Sequence, residues 1–301
     1  MNERPHYTKP VTKILRSDCE TLIRLALLED APDGDPSSES IFSQDEFGSA
    51  RALARENGTF CGRAVLEHLL EIDREINNSN VSIVSSLNDG DCFTKGDTIL
   101  ELKGKFRNIL RLERIILNFV QYLSSISSNV TQALSKVDKD IAIVDTRKTL
   151  PGYRKLAKYA AYVAGGTNHR IDLSSMVMIK DNHIAASGGI ALAAKRVREK
   201  RPDLPLEIEV DNIDQIPEAL ECRPKVILLD NMDRKTIEKA IQMIQGVPET
   251  ERPFIEVSGG WTPDRLPDLN GLGRIGVSMG YLSHTTRFVN MTMEVDRHQN
   301  T

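Results

Sequence analysis

The chain has 301 residues, 40 % of them hydrophobic and 27 % charged, with a formal net charge of -4. That length supplies one large domain or two ordinary ones, and that balance belongs to a folded globular protein rather than a disordered or membrane chain. A slightly acidic chain has no global basic field for nucleic acid, and no stretch approaches the ~20 apolar residues that span a bilayer.

The first twenty residues contain no apolar leader segment, so a cytoplasmic location is expected. The four cysteines, Cys19, Cys61, Cys92 and Cys222, form no CxxC pair and suggest neither a zinc site nor a disulfide framework. Ser17 and Glu20 have capping-box spacing and predict a helix over "TLIRLALLED", which "APDGDPSSES" then breaks. From about Ala50 to Leu102, short β-like runs such as "VSIVSSL" and "TILEL" alternate with the turn signals "NDGD" and "TKGD". Between Arg107 and Leu134 the period changes: Leu112, Ile116, Phe119, Leu123, Ile126, Val130 and Leu134 recur at three- and four-residue steps, the apolar stripe of a long helix. On another face Arg107, Arg111 and Arg114 repeat at four and three, either as a solvated basic face or as one that overhangs an anion site.

Six short apolar runs follow, separated by segments of helix-forming composition: "IAIVDT", "MVMIKD", "LEIEVD", "VILLDN", "FIEVSGG" and "RIGVSMG". Strands alternating with helices imply a parallel sheet with right-handed crossovers, and continuous Ile, Val and Leu imply burial on both faces. Each run ends in polar or backbone-exposing residues: Asp145 with Arg147 and Lys148, Lys180 with Asp181, Glu209 with Asp211, Asp230 with Asn231, Ser258-Gly259-Gly260, and Ser278-Met279-Gly280. A β/α-barrel builds its site at that edge, and a doubly wound sheet gathers residues there too.

Arg147, Lys148, Lys180 and Arg170, with His169 beside the last, call for a ligand with several negative charges and planar carboxylates for the guanidinium forks. Glu209 and Asp230 are either ion-pair partners of these cations or hard oxygen ligands for Mg²⁺ on a phosphorylated substrate. "SGG" and "SMG" expose backbone N–H groups, as barrel phosphate pockets do.

The stretch "DTRKTLPGYR…KYAAYVAGGTNHRIDLSSMVMIKDNHI" closely resembles the signature of the quinolinate phosphoribosyltransferases, and the likeness runs from "ALLEDAPDGDPSS" through "LERIILNF" and "EIEVDN" to "EVSGG" and "GVSMGYLSH". The resemblance implies an N-terminal α/β sandwich over 1–125, joined by the C-terminal segment 286–301, and an incomplete, TIM-like β/α-barrel over 126–285. It implies transfer of phosphoribose from 5-phosphoribosyl-1-pyrophosphate to quinolinate with loss of CO₂, a step of NAD biosynthesis, with Mg²⁺ as cofactor. It also implies a homodimer, or a larger assembly of dimers, whose neighbouring subunit lends Arg114.

Carried onto this chain, Arg147, His169, Arg170 and Lys180 would hold the two quinolinate carboxylates. Lys148, Glu209 and Asp230 would act at the reacting groups, the two acids meeting the ribose hydroxyls and Mg²⁺, directly or through water. Lys148, Lys180, Ser258, Gly259, Gly260, Gly280 and His284 would face the phosphoribosyl donor. Ser125, Thr167 and Val257 depart from the family pattern, which has small residues there. Three other readings remain: a related pyrophosphorylase of the molybdenum-utilisation type, an aldolase with Lys180 as Schiff-base lysine, and a non-catalytic protein on an old enzyme fold.

Overall fold

The computed structural model describes residues 8–296, so residues 1–7 and the last five of the expected C-terminal segment lie outside it. The chain divides into two compact units interleaved along the sequence: a first unit of residues 8–10, 132–149 and 166–285, and a second of residues 11–131, 150–165 and 286–296. Elements of the second unit come first: α1 (Arg16–Asp30), α2 (Pro36–Ile41), β1 (Phe47–Ala54), β2 (Gly58–Thr59), α3 (Arg63–Asn77), β3 (Ser82–Ser86), β4 (Cys92–Phe93), β5 (Thr98–Lys105) and the long α4 (Phe106–Leu134). After β6 (Ile141–Val144), α5 (Arg154–Val163) returns to that unit. The first unit continues with β7 (Val177–Ile179), α6 (Asp181–Ser187), α7 (Ile190–Lys200), β8 (Leu206–Val210), α8 (Ile216–Glu221) and β9 (Val226–Asp230). It ends with α9 (Arg234–Gln245), β10 (Phe254–Ser258), β11 (Ile275–Ser278) and α10 (Tyr281–His284), before β12 (Met291–Asp296) rejoins the second unit.

In the second unit four strands pair in the order β12-β1-β5-β3, with β1 antiparallel to both neighbours. The stripe on α4 is buried as its period requires, except that Ala133 rather than Leu134 takes the last interior position. Ser125 makes one device of its own: its hydroxyl donates to Gln121 O at 2.5 Å and accepts from Val289 N at 2.8 Å, fixing the chain that leads into β12. The expected capping box at Ser17 and Glu20 is corrected: α1 begins earlier, with Asp18 accepting from Leu15 N at 3.0 Å, while Glu20 pairs with Arg16 and Arg24. A capping carboxylate works from whichever residue stands one turn into the helix, and here that is Asp18.

Two of the three arginines on α4 have structural partners. Arg107 donates to Phe42 O and Glu39 O, and Arg111 grips the fully buried Asp73 with 2.8 Å bonds to both oxygens. Arg114 is exposed and has no hydrogen-bond or ion-pair partner among the described residues.

All six apolar runs of the second half are strands. They form one parallel sheet in the order β6-β11-β10-β9-β8-β7, in which the first strand lies beside the last and the others follow in sequence. A doubly wound sheet reverses its order at a switch point, whereas a barrel runs monotonically round. This order, open between β6 and β7 among the described residues, is that of an incomplete β/α-barrel. Thr167 adds a parallel bridge to Val144, donating to Ile143 O and accepting from Asp145 N. The backbone at 167 is therefore extended, which any residue adopts, so threonine in place of glycine there costs no strain.

Candidate active site

Side chains alternate across a strand, so residues two apart share a face, and residues in register across a parallel sheet share it too. The register pairs Met178 with Glu207, Glu209 with Leu228, Leu228 with Glu256, and Asp230 with Ser258. One face of the first unit's sheet therefore carries Lys180, Glu209, Asp230, Ser258 and Ser278 at the strand ends, with Glu207 and Glu256 deeper in the same columns.

These strand ends and the loops beyond them line a cavity of about 830 Å³. Its walls include Arg147, Lys148, His169, Arg170, Lys180, Glu209, Asp230, Ser258, Gly259, Gly260, Gly280 and His284. Every residue to which the resemblance gives a substrate or metal role is thus on one cavity except Arg114, which lies in the second unit and is not part of the wall.

Asp145, 5 % exposed at the end of β6, organises the cationic side. Its Oδ1 accepts from His169 N and its Oδ2 from Asn168 Nδ2, both at 2.8 Å, so one carboxylate fixes the turn that carries Arg170. Arg170 donates to Met176 O at 3.0 Å and to the Met178 thioether at 3.6 Å. Arg147 keeps its Nε buried with no hydrogen-bond partner. Neither guanidinium makes an ion pair among the described residues. Burial first, and the neighbouring Arg147 charge second, lower the Arg170 pKa from its ordinary value, against the opposing pull of Glu207, Glu209 and Asp172. The Lys148 backbone is pinned by Ser283 Oγ donating to its carbonyl at 2.7 Å, and its stem passes Gly280 so closely that a Cβ there would meet Lys148 Cδ at 2.9 Å.

On the acidic side Lys180 Nζ donates to Glu209 Oε2 at 2.5 Å, an ion pair at the strand ends. Asp230 has a different partner, accepting from Asn231 Nδ2 at 2.7 Å. Asn231 itself lies at φ 55° and donates its N–H to Ser258 O at 3.1 Å, drawing two strand ends together. Gly259, at φ 110°, fits only as glycine, because a Cβ would approach Asn231 Cα and N at 2.8 Å. His284 is exposed beside Thr285, with Nδ1 at 3.2 Å from the Thr285 hydroxyl.

Sequence reasoning missed three residues. Glu207 and Glu256 are both 0 % exposed, and among the described residues the nearest polar group to Glu207 is His169 Nε2, 3.2 Å from its Oε2. Burial, and secondly the Glu256 charge, push Glu207 well above the usual carboxylate range, against the opposing pull of His169. The signal was present in "LEIEV" and "FIEVS", where an acid stands inside an apolar run two residues before a strand-end site residue. Trp261, 4 % exposed on the cavity wall, has a buried Nε1 without an acceptor and carries the Arg265 guanidinium 4.6 Å over its ring. Nothing in its sequence neighbourhood announces it.

Comparison with known proteins identifies the family over residues 35–294. The family model for the quinolinate phosphoribosyl transferase C-terminal domain matches residues 124–294, and that for the N-terminal domain matches residues 35–124. A probable nicotinate-nucleotide pyrophosphorylase [carboxylating] of Bacillus subtilis is 36 % identical over 276 residues, 91 % of this chain and 92 % of its own length. The Methanocaldococcus jannaschii protein of the same description is 34 % identical over 287 residues, covering 92 % and 97 %. The solved nicotinate-nucleotide pyrophosphorylase of Francisella tularensis superposes with a TM-score of 0.88 at 29 % identity, over 96 % of this chain and all of that one. With the two domain models matched one after the other over residues 35–294 and the cationic cavity at the barrel's strand ends, the chain belongs to the quinolinate phosphoribosyltransferase family.

Proposed function

We propose that the cavity takes quinolinate and 5-phosphoribosyl-1-pyrophosphate together, and that the chain converts them to nicotinate mononucleotide, pyrophosphate and CO₂. The observation that carries this reading is the pair of guanidinium groups, Arg147 and Arg170, gathered in one cavity without an ion-pair partner among the described residues. Two uncompensated forks match a ligand with two adjacent carboxylates, and a monocarboxylate would leave one of them unmatched.

In this assignment Arg147 and Arg170 hold the carboxylates, and Lys180 exchanges Glu209 for substrate. Lys148 and the backbone at Ser258, Gly259, Gly260 and Gly280 receive the phosphate oxygens, with His284 at their edge. The pyridine nitrogen forms a bond to the ribose carbon as the bond to pyrophosphate breaks. Positive charge then grows on the ribose, and Glu209 and Asp230 lie where that charge is stabilised. The bond from the ring to the adjacent carboxylate breaks next. CO₂ leaves, the electron pair remaining on the ring carbon is stabilised by the now cationic nitrogen, and a proton from water completes the product. Orienting two bound reactants supplies much of the acceleration.

Glu209 and Asp230 also fit Mg²⁺. They are hard oxygen donors on adjacent strands, and with Oε2 and Oδ2 engaged by Lys180 and Asn231, Oε1 and Oδ1 remain open. When bound there, Mg²⁺ supplies charge neutralisation to the departing pyrophosphate. Arg114, exposed and partnerless where Arg107 and Arg111 are committed, supports a homodimer in which it completes the neighbour's site. Four free cysteines suit a cytoplasmic enzyme, and no helix among the described residues is long and apolar enough to cross a membrane.

The test is turnover with quinolinate, the phosphoribosyl donor and Mg²⁺, read as nicotinate mononucleotide and CO₂, with nicotinate in a parallel reaction. Product from quinolinate alone is expected. Product from nicotinate, or from neither acid, would overturn the reading.

A further inference from the structure

The cavity proposed to take a dianion has one buried acid in its wall and a second deeper on the same sheet face. Glu207 and Glu256 are fully buried, Glu256 forms part of the cavity wall, and neither carries a charge that helps an anionic ligand to bind. Like charges this close to the substrate carboxylates would oppose binding unless something stands between them. His169 stands there. Its Nε2 lies 3.2 Å from Glu207 Oε2 and 3.5 Å from Glu256 Oε1.

The other ring nitrogen is engaged as well. Nδ1 accepts the backbone N–H of Arg170 at 2.7 Å, so the ring hydrogen is on Nε2, facing the two acids. With one nitrogen accepting from Arg170 and the other turned to the floor, His169 has no N–H left for a substrate carboxylate. A chain of contacts therefore runs from the buried acids through the imidazole to the backbone of the residue whose guanidinium faces the ligand.

Resting on the function proposed above, we propose that Glu207 and Glu256 are positioning residues for the dicarboxylate subsite, acting through His169. They hold the imidazole as a fixed spacer that screens them from the substrate and sets the place of Arg170. His169 is then not itself a ligand of quinolinate, and the carboxylates fall to Arg147, Arg170 and Lys180.

The experiment compares Glu256→Ala and Glu256→Gln with the native enzyme, varying each substrate separately. Loss of the carboxylate beside Nε2 in Glu256→Ala is expected to raise KM for quinolinate roughly 10- to 100-fold, the scale of a misplaced binding group, with KM for the phosphoribosyl donor changed less than about twofold. Glu256→Gln, which keeps the shape of the side chain and an oxygen beside Nε2, is expected to restore most of that loss. A rise in both KM values together, a fall in kcat alone, or no rescue by glutamine would overturn the proposal. Wild-type turnover is the control: its absence sinks the functional reading, whereas normal wild-type turnover with an unaffected alanine variant sinks this one alone.

Should Glu256→Ala not fold, the native protein decides. With ¹⁵N-labelled histidine, and the His169 signals identified by His169→Gln, the ring nitrogens are expected to keep their shifts when quinolinate is added. A shift marking a new hydrogen bond to the substrate would overturn the spacer role. So would stoichiometric zinc in the native protein, because His169, Glu207 and Glu256 also lie close enough to share a cation.

Discussion

Both units bury arginine near acid, and they treat it in opposite ways. In the second unit Arg111 meets Asp73 through two 2.8 Å bonds, and Asn77 adds a third at 2.7 Å, so a fully buried carboxylate is saturated. In the first unit, among the described residues, Arg147 keeps an unpartnered Nε, Arg170 leans on a carbonyl and a thioether, and Glu207 has only His169 beside it. A saturated buried charge holds a fold together; an unsaturated one waits for a ligand or steadies a group that does. The contrast separates scaffold from site by physics alone, and substitutions can break it from either side.

The largest effect is expected in the first unit. Arg170→Ala should lower kcat/KM for quinolinate by ~10²–10³-fold, as loss of a preorganised charge donor does. Its melting temperature should stay level or rise, because a buried cation with no direct ion pair among the described residues has gone. A variant that lost stability in step with activity would show Arg170 to be structural. Asp73→Ala should do the reverse. Stranding Arg111 is expected to cost about 3–5 kcal/mol in denaturant unfolding, with KM for quinolinate unchanged in the folded fraction.

A smaller loss marks the helix cap of the second unit. Asp89 accepts from Gly62 N at 2.7 Å and Arg63 N at 2.9 Å at the start of α3, and from the Tyr159 hydroxyl at 2.8 Å. Asp89→Ala should cost ~1–2 kcal/mol, read as a lower denaturation midpoint with the slope preserved. Ser125→Gly, which loses the bond to Val289 N and adds a glycine to a helix interior, should cost about 1 kcal/mol. A neutral result would make the serine at that position incidental.

How much of this was legible in the sequence follows from the range of the forces involved. The six strands and their polar ends were readable because an apolar run and the charge that ends it are adjacent in the chain. Arg107, Arg111 and Arg114 looked alike because their fates are set by partners far away: Phe42, Asp73, and no described residue at all. The start of α1 was misplaced because Asp18 and Ser17 are both good capping types and only backbone geometry chooses between them. Glu207 and Glu256 went unnoticed because an acid inside a buried strand reads as a defect until the sheet register sets it beneath the site. The barrel itself needed the strand order, which no local pattern contains.

The central claim is that the unpaired guanidinium groups of the first unit are reserved for two carboxylates on one ligand. The melting temperature of the native protein, measured with quinolinate and with nicotinate at equal concentration, tests it most directly. Selective binding to the folded state at a hundredfold excess over Kd adds ~2.7 kcal/mol, so a clear upward shift with quinolinate and little with nicotinate is expected. Equal shifts with the two acids, or none with either, would contradict the account.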